Sequence, residues 1–387
     1  MTIAAIIGPF GPPQIAVIRV LAENGIPVVF FHTSDGPPPR LTLPTLHGYV
    51  TLPENPQKSP EAEDALLEGL ERLGVTHIMS VGYGLSRWLD DTLSGRHSPV
   101  VRCTPDPSTY DLLIGKTEQI ELAERCGFSL LATYVCTGGG AQHDVPSSAF
   151  PVVLRPDGQV SRHFKIAKID SGTALSEFLQ RFSEADRLVA QPYTPGPNIL
   201  MQGARALDGR VMRHGVFLAD YKFGGVTQRL RPWSVPDAVH ASCEAFVAQA
   251  GITGAYHFDL LYDQKSDTPY FLEINGRLGG TTNKVRCCGY EQPIYMLACY
   301  GGAEWQDSPP PARDRRVSNR FSILRRLNDL RHSEPDLLDF PTGPRPQLIR
   351  DLAVGLLAWT DENLSARHWR TTVDYHRQML ADQAGRS

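Results

Sequence analysis

The sequence predicts an α/β fold that begins with a doubly wound, mostly parallel sheet. Strand-like and helix-like patterns alternate through the first hundred residues, and this alternation is typical of parallel sheets with helices on both faces. Further along, two strand-like runs at 256–263 and 269–275 are separated by a polar loop and predict an antiparallel hairpin. After the proline run at 308–311 the composition shifts, so we expect a C-terminal extension.

The elements of the N-terminal sheet follow from short apolar runs and their spacing. Compact β-branched or apolar runs predict strands, and apolar residues that recur every three or four positions predict the helices between them. We expect strands at Ile3–Ile7, Val28–Phe31, His77–Val81 and Val100–Cys103, with helices at Ile15–Ala22, Ala62–Leu73 and Leu85–Leu93. Prolines fill the turn at 8–13, which therefore does not read GxGxxG, and a dinucleotide site is disfavoured.

A chain of 387 residues is expected to form two or three domains. The segment 103–107 contains two prolines and marks a boundary, so residues 1–105 are expected to form an N-terminal α/β domain. A helix predicted at Lys116–Cys126, with Gly127 as its stop, opens a second domain at 106–306 in which strands later predominate.

The last part of the chain, 307–387, is treated as the C-terminal extension. Arginines cluster at 313–331, a helix is predicted at Ile349–Trp359, and a polar helix is expected at the chain's end.

Composition and charge exclude several classes of function. The net charge of −4 gives no reason to expect a nucleic-acid partner, because such proteins present basic surfaces. No apolar run approaches the roughly 18 residues of a transmembrane helix, so no membrane partner is expected. Seven cysteines without a CxxC pair fit a reducing cytoplasm and argue against a structural zinc site.

The predicted hairpin places polar residues on one face. Side chains two positions apart on a strand share a face. Glu273 and Asn275 are therefore expected on the same face of the second strand, with Leu272 and Ile274 on the other.

Pairing across the hairpin predicts a metal site. If Asp263 pairs with Pro269, Asp259 lies directly opposite Glu273, with their Cβ atoms about 4.5–5.5 Å apart. Two carboxylates at that distance repel unless a cation lies between them or one of them is protonated. Together with the amide oxygen of Asn275 they form a hard-oxygen site suited to Mg²⁺. The alternative is a solvated hairpin edge with scattered acids.

The stretch that closes this hairpin, 271–280, reads FLEINGRLGG and resembles the Glu-x-Asn-x-Arg signature of ATP-grasp ligases and carboxylases. Asp259 fits the acidic residue that the family carries upstream of this signature. The resemblance runs from the N-terminal domain to about residue 305. It implies an ATP-grasp fold with a preceding α/β domain and, at about 130–190, a smaller lid subdomain.

Two basic residues match the family's phosphate contacts. Lys116, at the start of its helix, matches the first nucleotide-contacting lysine. The strand 151–156 resembles the Pro-x-x-x-Lys-Pro pattern, with Arg155 where lysine is usual. A guanidinium can still hold a phosphate, and does so bidentately.

The family's glycine-rich loop is poorly matched. The corresponding stretch, 157–163, contains a single glycine and makes a poor backbone nest for an anion. Arg162, Lys165 or Lys168 would supply charge instead, and the sequence does not choose among them.

The stretch QPYTPGPN at 191–198 resembles the hinge between the two halves that grasp the nucleotide. The resemblance implies that the backbone at Pro192 and Tyr193 binds the adenine edge. Gln191 and Asn198 replace the acidic residues that are usual at the two ends of the hinge, and Asn198 can still bind a ribose hydroxyl.

Four further residues receive roles by resemblance. Arg277 would face the transferred phosphoryl group and the acyl phosphate. Lys284 and Arg286 extend the basic loop and would grip the carboxylate substrate, unless they are simply solvated. His257 lies two residues before Asp259 and would orient the oxyanion or act as a base; a structural histidine is the alternative.

The resemblance implies an ATP-dependent enzyme that uses Mg²⁺ or Mn²⁺. ATP would phosphorylate a small-molecule carboxylate, and an amine would attack the acyl phosphate, leaving ADP and phosphate. A carboxylase or carbamoyl-phosphate-type enzyme is the alternative, and a non-catalytic nucleotide-binding protein of the same fold is a third. A homodimer is compatible with the sequence, and a cytoplasmic location is expected.

Overall fold

The computed structural model describes residues 1–34, 46–96, 98–140, 143–309, 311, 314–332, 339–364, 369, 370, 373, 374 and 377. Its N-terminal part is a five-stranded parallel sheet with the strand order β3-β2-β1-β4-β5. The strands are β1 (Ala4–Gly8), β2 (Val28–Thr33), β3 (Leu46–Leu52), β4 (His77–Ser80) and β5 (Val101–Cys103). The helices are α1 (Pro12–Glu23), α2 (Pro60–Arg72) and α3 (Tyr83–Gly95).

The N-terminal sheet is covered on both faces. Apolar residues of α1, among them Val17 and Leu21, pack on one face, and Leu66 of α2 and Leu89 of α3 pack on the other. The predicted doubly wound α/β sheet is therefore confirmed. The sequence did not indicate β3, because this edge strand is mostly half-buried and its polar and apolar residues form no continuous run.

Two short helices lead into the middle of the chain, α4 (Tyr110–Ile114) and α5 (Lys116–Arg125). Gly127 follows α5 with a φ of 84°, a left-handed conformation that favours glycine, as the predicted stop requires. A four-stranded antiparallel sheet, ordered β6-β9-β7-β8, comes next. It contains β6 (Tyr134–Thr137), β7 (Val152–Pro156), β8 (Ala167–Ile169) and β9 (Arg187–Pro192), with α6 (Gly172–Leu179) packed against it.

A seven-stranded sheet forms the largest layer, in the order β14-β13-β10-β11-β12-β15-β16. Its pairs are antiparallel except the last. Its strands are β10 (Asn198–Arg205), β11 (Gly215–Phe223), β12 (Val226–Pro232), β13 (Gly254–Asp263), β14 (Thr268–Asn275), β15 (Val317–Ser318) and β16 (Thr360–Asp361). The accompanying helices are α7 (Asp237–Gln249), α8 (Thr282–Cys287), α9 (Gln292–Cys299), α10 (Arg320–His332) and α11 (Arg345–Ala358).

An aromatic core supports the hairpin of β13 and β14. Phe246 of α7 stacks on Phe271, with ring centroids 5.7 Å apart, and meets Phe258 at 5.5 Å. Phe128, just after α5, contacts the same rings. This buried cluster fixes the back of the hairpin, so its polar residues face the opposite side.

The C-terminal residues are built into the large sheet. Strand β15 pairs with β12, and β16 pairs with β15. The predicted helix at Ile349–Trp359 corresponds to α11, which begins four residues earlier. The polar helix predicted at the chain's end lies almost entirely outside the described residues. The domain boundaries near 105 and 306 stay predictions.

No helix in the described part of the chain is long and apolar enough to cross a membrane.

Candidate functional site

A cleft of about 520 Å³ lies between the four-stranded and the seven-stranded sheets. This volume is within the range of small-molecule sites. Of the residues predicted from the sequence to bind nucleotide or metal, nine line it: Lys116, Arg155, Lys165, Gln191, Pro192, Tyr193, Asn198, Asp259 and Glu273.

The hairpin carries the acidic residues into the cleft. Asp259 is directly opposite Glu273 in the register, as predicted. The predicted pairing near the turn is wrong by one position, because Asp263 pairs with Thr268 instead of Pro269. A bulge after Asp259 takes up the difference.

The residue absorbed by this bulge is Leu272. It was expected on the apolar face beside Ile274, but it lines the cleft instead. Its carbonyl oxygen accepts a hydrogen bond of 3.4 Å from Arg155 Nη1. Ile274 is buried in the core behind the hairpin, as expected.

Two cations surround the Glu273 carboxylate. Lys116 Nζ donates to Glu273 Oε2 at 2.7 Å, and Arg155 Nη1 lies 3.9 Å from the same oxygen. All three side chains are largely buried, so these interactions are only weakly screened by solvent. Lys116 and Arg155, which the sequence predicts to bind phosphate, therefore neutralise the Glu273 carboxylate.

The two carboxyl groups differ in acidity. Burial and the neighbouring Glu273 charge raise the pKa of Asp259 to about 7. Although burial acts in the same direction on Glu273, Lys116 and Arg155 outweigh it and lower the pKa of Glu273 to about 2. Near neutral pH the pair thus carries a proton mainly on Asp259, the group that lacks a cation in direct contact.

Asn275 and Arg277 extend this chain of polar contacts. Asn275 Nδ2 donates to Glu273 Oε1 at 3.2 Å, and Arg277 Nη2 donates to Asn275 Oδ1 at 3.1 Å. The Arg277 guanidinium lies over the Tyr83 ring, 5.3 Å from its centroid, and the Tyr83 hydroxyl accepts a hydrogen bond from Gly276 N. Neither Asn275 nor Arg277 lines the cleft itself.

His257 is buried beside the hairpin. Its Nδ1 lies 3.2 Å from the Arg277 carbonyl oxygen, and its Nε2 lies 3.9 Å from Asp259 Oδ2. Burial, assisted by the Arg277 charge, lowers the pKa of His257 to about 4. The imidazole is therefore neutral at physiological pH, with one ring nitrogen able to donate a hydrogen bond and the other able to accept one.

Two residues of the stretch 191–198, Gln191 and Tyr193, each lie beside a basic side chain. Gln191 Oε1 accepts a 2.6 Å bond from Arg155 Nη2, and Gln191 Nε2 donates to Thr133 Oγ1 at 3.0 Å. Lys168 lies outside the cleft lining, with its ammonium 5.3 Å from the centre of the Tyr193 ring. An amide at position 191 thus orients the guanidinium of Arg155.

The loop at 157–163, which corresponds to the family's glycine-rich loop, contributes the carboxylate of Asp157. Asp157 Oδ1 accepts from Lys116 N at 2.6 Å and from Thr117 N at 3.0 Å, so it caps the first turn of α5. Lys165 lines the cleft, and Arg162 does not.

Lys284 and Arg286 are engaged elsewhere. Lys284 is buried and its Nζ forms an ion pair of 2.7 Å with Glu362 Oε1. Arg286 Nη1 pairs with Glu23 of α1 at 3.1 Å. Neither residue lines the cleft, so the structure does not bring them together with the predicted ATP-site residues.

Two residues of the cleft had no motif to indicate them. Lys222, on β11, donates from Nζ to Asn198 Oδ1 at 2.7 Å. Burial lowers its pKa to about 8, and the Asp259 charge opposes this shift. Asp339 reaches the cleft from the C-terminal part. A lone lysine and a lone aspartate in the sequence carry no signal, because only the folded sheets bring them to the site.

Within the described residues no group of three or more His, Cys, Asp and Glu side chains forms a ready-made metal site. Asp259 and Glu273 place two carboxylates opposite each other in the cleft, whereas the Asn275 amide oxygen accepts a hydrogen bond from Arg277. A divalent ion here would need oxygens from a bound ligand, which is how Mg²⁺ is commonly held beside phosphates.

Comparison with protein-family models and with curated proteins finds no match. Solved structures do match. An N5-carboxyaminoimidazole synthetase from Staphylococcus aureus aligns with a TM-score of 0.64 at 12% identity, over 92% of this chain and 98% of that chain. An L-amino acid ligase from Bacillus licheniformis aligns with a TM-score of 0.60 at 16% identity, over 79% and 75%.

A third match is the biotin carboxylase domain dimer of the Hydrogenobacter thermophilus 2-oxoglutarate carboxylase, in complex with MgADP, ADP and bicarbonate. Its TM-score is 0.61 at 17% identity, over 80% of this chain and 71% of that chain. At these identities the likeness shows a shared fold.

Proposed function

We propose that this chain, which has the ATP-grasp fold, is an ATP-dependent carboxylate–amine ligase. It would activate a small-molecule carboxylate as an acyl phosphate and release ADP and phosphate. The observation that carries the proposal is the pairing of Asp259 and Glu273 inside a cleft whose other walls present Lys116 and Arg155.

The cleft presents groups that could bind the base, the ribose and the phosphates of a nucleotide. The backbone at Pro192 and Tyr193 would meet a base through carbonyl groups, because Pro192 has no N–H and Tyr193 N donates to Pro151 O at 2.8 Å. Asn198 would offer its amide to a ribose hydroxyl. Lys116 and Arg155 provide positive charge for phosphates. The MgADP complex of the Hydrogenobacter thermophilus protein supports a nucleotide in this fold.

Mg²⁺ or Mn²⁺ would be held by Asp259, Glu273 and Asn275, with nucleotide oxygens completing the shell. The ion would supply charge neutralisation for the phosphates. A cation would fit the chain's own charges, because at Glu273 it would take the role that Lys116 and Arg155 have as neutralising groups.

The remaining chemistry belongs to side chains around the hairpin. A carboxylate is a poor electrophile, and phosphorylation gives it a good leaving group. The transfer depends on charge stabilisation more than on covalent help. Arg277, oriented by Asn275 and Tyr83, would stabilise the developing charge. Neutral His257, beside the Arg277 carbonyl, would orient the oxyanion, whereas a pKa lowered to about 4 does not favour its alternative role as a base.

A carboxylase-type reaction, with bicarbonate as the carboxylate, is the second candidate. It is favoured by the match to the Staphylococcus aureus N5-carboxyaminoimidazole synthetase, which extends over 92% of this chain. The same hairpin would serve it, because phosphorylation of bicarbonate would likewise give a mixed anhydride of a carboxyl group and phosphate. A homodimer and a cytoplasmic location stay predictions for either reaction.

The deciding experiment measures ADP release with Mg²⁺ over a panel of amino acids and other carboxylates, and separately with bicarbonate. Hydroxylamine is added to trap an acyl phosphate as a hydroxamate, with Glu273→Gln as the inactive control. Amine-dependent ADP release and hydroxamate formation support the ligase. ADP release with bicarbonate alone supports the carboxylase reaction.

Two outcomes contradict the ligase mechanism. AMP and pyrophosphate as products would place the protein in another class of enzyme. Nucleotide binding without turnover on any carboxylate would favour the non-catalytic reading of the same fold.

A further inference from the structure

The segment between α10 and α11 reaches into the wall of the cleft. Phe340 and Lys222 exchange two backbone hydrogen bonds, from Lys222 N to Phe340 O at 2.8 Å and from Phe340 N to Lys222 O at 2.9 Å. These bonds fix the main chain of Lys222 near the end of β11 from a position more than 110 residues away in sequence.

Asp339 anchors the turn that follows Lys222. Its Oδ1 accepts from Gly224 N at 2.9 Å, and its Oδ2 forms a buried ion pair with Arg326 of α10. The Arg326 guanidinium lies 4.5 Å from the centre of the Phe223 ring. Because removing one member of a buried ion pair is costly, this contact holds the segment firmly against the turn.

The turn between β11 and β12 consists of Gly224 and Gly225, which both adopt left-handed φ angles, 54° and 70°, as a two-residue hairpin turn requires. Pairing of Lys222 with Thr227 and of Phe223 with Val226 defines the β12 side of this strand end. Asp339 and Phe340 add contacts to it from the C-terminal part.

The anchored residue presents its charge to the cleft. Lys222 Nζ donates to Asn198 Oδ1 at 2.7 Å, and Lys222 and Asp259 both line the cleft. Its position is therefore between the hinge side, marked by Asn198, and the metal side, marked by Asp259. A nucleotide that spans these two ends passes its phosphates beside this ammonium.

We propose that Lys222 contacts the phosphate chain of the bound nucleotide, and that Asp339 and Phe340 form a clamp that positions it there. Lys222 is then a nucleotide-binding residue, and Asp339 is a positioning residue that acts through it. The inference rests on the proposed function, since it takes the cleft to be a nucleotide site.

The test is a double-mutant cycle read by isothermal titration with ADP, a non-hydrolysable ATP analogue and adenosine. Lys222→Met should weaken binding of ADP and the ATP analogue about tenfold or more, while adenosine binding changes less than threefold. Asp339→Ala should weaken ADP binding several-fold in the wild-type background and leave it unchanged in the Lys222→Met background. Asp111→Ala, at an exposed position on α4, is the matched control.

Asp339→Asn is the second variant, since it keeps an acceptor for Gly224 and should fold where Asp339→Ala does not. It should show the same loss of effect in the Lys222→Met background, with a smaller amplitude. Equal effects of the Asp339 change in both backgrounds would overturn the clamp. Unchanged affinity for ADP in Lys222→Met would overturn the phosphate contact. If the unaltered protein binds none of the three ligands, the proposed function itself fails.

Discussion

At the scale of single residues, the site is balanced by charge before any ligand binds. Glu273 is held by Lys116 and by Arg155, whereas no described Lys or Arg forms an ion pair with Asp259, whose pKa is raised to about 7. Four titratable groups thus share one desolvated space, and the carboxyl group without an ion pair in the described structure is the one that favours protonation. A cation bound at Asp259 would lower the pKa of that carboxyl group and favour its charged form. It would also help to neutralise Glu273, so that Lys116 and Arg155 could interact with an anion.

Glu273→Gln tests this balance. The amide has the same shape, so the fold should be kept, but it no longer offers a charged metal ligand. Turnover should fall at least ~100-fold, the scale of losing a main electrostatic group in the transition state. Steady-state ADP release, with circular dichroism to confirm folding, measures it. Normal turnover in the folded variant would remove Glu273 from the metal site.

Arg277 is expected to act on chemistry more than on nucleotide affinity. Its guanidinium is bonded to Asn275 and lies over Tyr83, beyond the lining of the nucleotide cleft. Arg277→Lys keeps the charge but loses the planar fork, so it should lower kcat about as much as Arg277→Ala does. The affinity for a non-hydrolysable ATP analogue should stay within about threefold of wild type, well under the ~1.4 kcal/mol of a tenfold change.

Steady-state kinetics beside isothermal titration distinguishes the two effects. Arg87→Ala, on the exposed side of α3, serves as the control for loss of an arginine. A large loss of nucleotide affinity in Arg277→Ala would make this residue a ground-state phosphate anchor instead.

At the scale of elements, the hairpin shows both what the sequence could predict and where prediction stops. Alternation along a strand is local, so Glu273 and Asn275 could be assigned to one face from sequence alone. The pairing of Asp259 with Glu273 was correct although the turn is shifted by one position, because the bulge at Leu272 restores the register. A bulge depends on packing across the sheet, and nothing in the sequence marks it.

The contact between the four-stranded sheet and α5 is a second case set by the fold. Gly115, at the N-cap of α5, has no side chain to cap the helix, and Asp157 from the loop after β7 takes this role. The carboxylate also complements the positive end of the helix dipole. The four-stranded sheet and the helix that begins with Lys116 are thereby joined.

Asp157→Ala should therefore lower the free energy of unfolding by about 1 kcal/mol, the usual cost of a lost cap. It should also weaken nucleotide binding, because the start of the Lys116 helix loses its support. Urea denaturation and titration with ADP measure the two effects. Asp208→Ala, which removes an exposed partner of Arg210, should change stability by less than about 0.5 kcal/mol. Equal stability of both variants would contradict the capping role.

At the scale of the whole molecule, the C-terminal part holds the other layers together. Beyond the clamp on β11, Glu362 follows β16 and accepts from Lys284 Nζ at 2.7 Å and from Asn319 Nδ2 at 3.0 Å. The neighbouring Asn363 carbonyl accepts from Arg19 of α1 at 3.2 Å. These contacts join residues that are 43 to 344 positions apart in sequence. No local sequence pattern predicts such distant pairs. The sequence therefore predicted residues 307–387 only as a C-terminal extension.

The same contacts change the interpretation of Lys284. The sequence placed it in a basic loop that would grip a carboxylate substrate. In the folded chain its partner is Glu362, and the two side chains are 7% and 1% exposed. A buried lysine that already has a carboxylate partner is a structural cation, so its removal should affect stability before it affects substrate affinity.

Glu362→Ala tests this role of the C-terminal part. It leaves the Lys284 ammonium buried without its carboxylate, and breaking a buried ion pair in this way costs about 3–5 kcal/mol. The double variant Lys284→Met with Glu362→Leu removes both charges, fills the space with apolar atoms and should recover most of that loss. Urea denaturation of the three proteins measures the difference. Recovery together with an unchanged KM for the carboxylate makes Lys284 a structural residue. A loss below about 1 kcal/mol in Glu362→Ala would mean that the C-terminal strands are held by their backbone pairing alone, and a raised KM in the recovered double variant would return Lys284 to the substrate site.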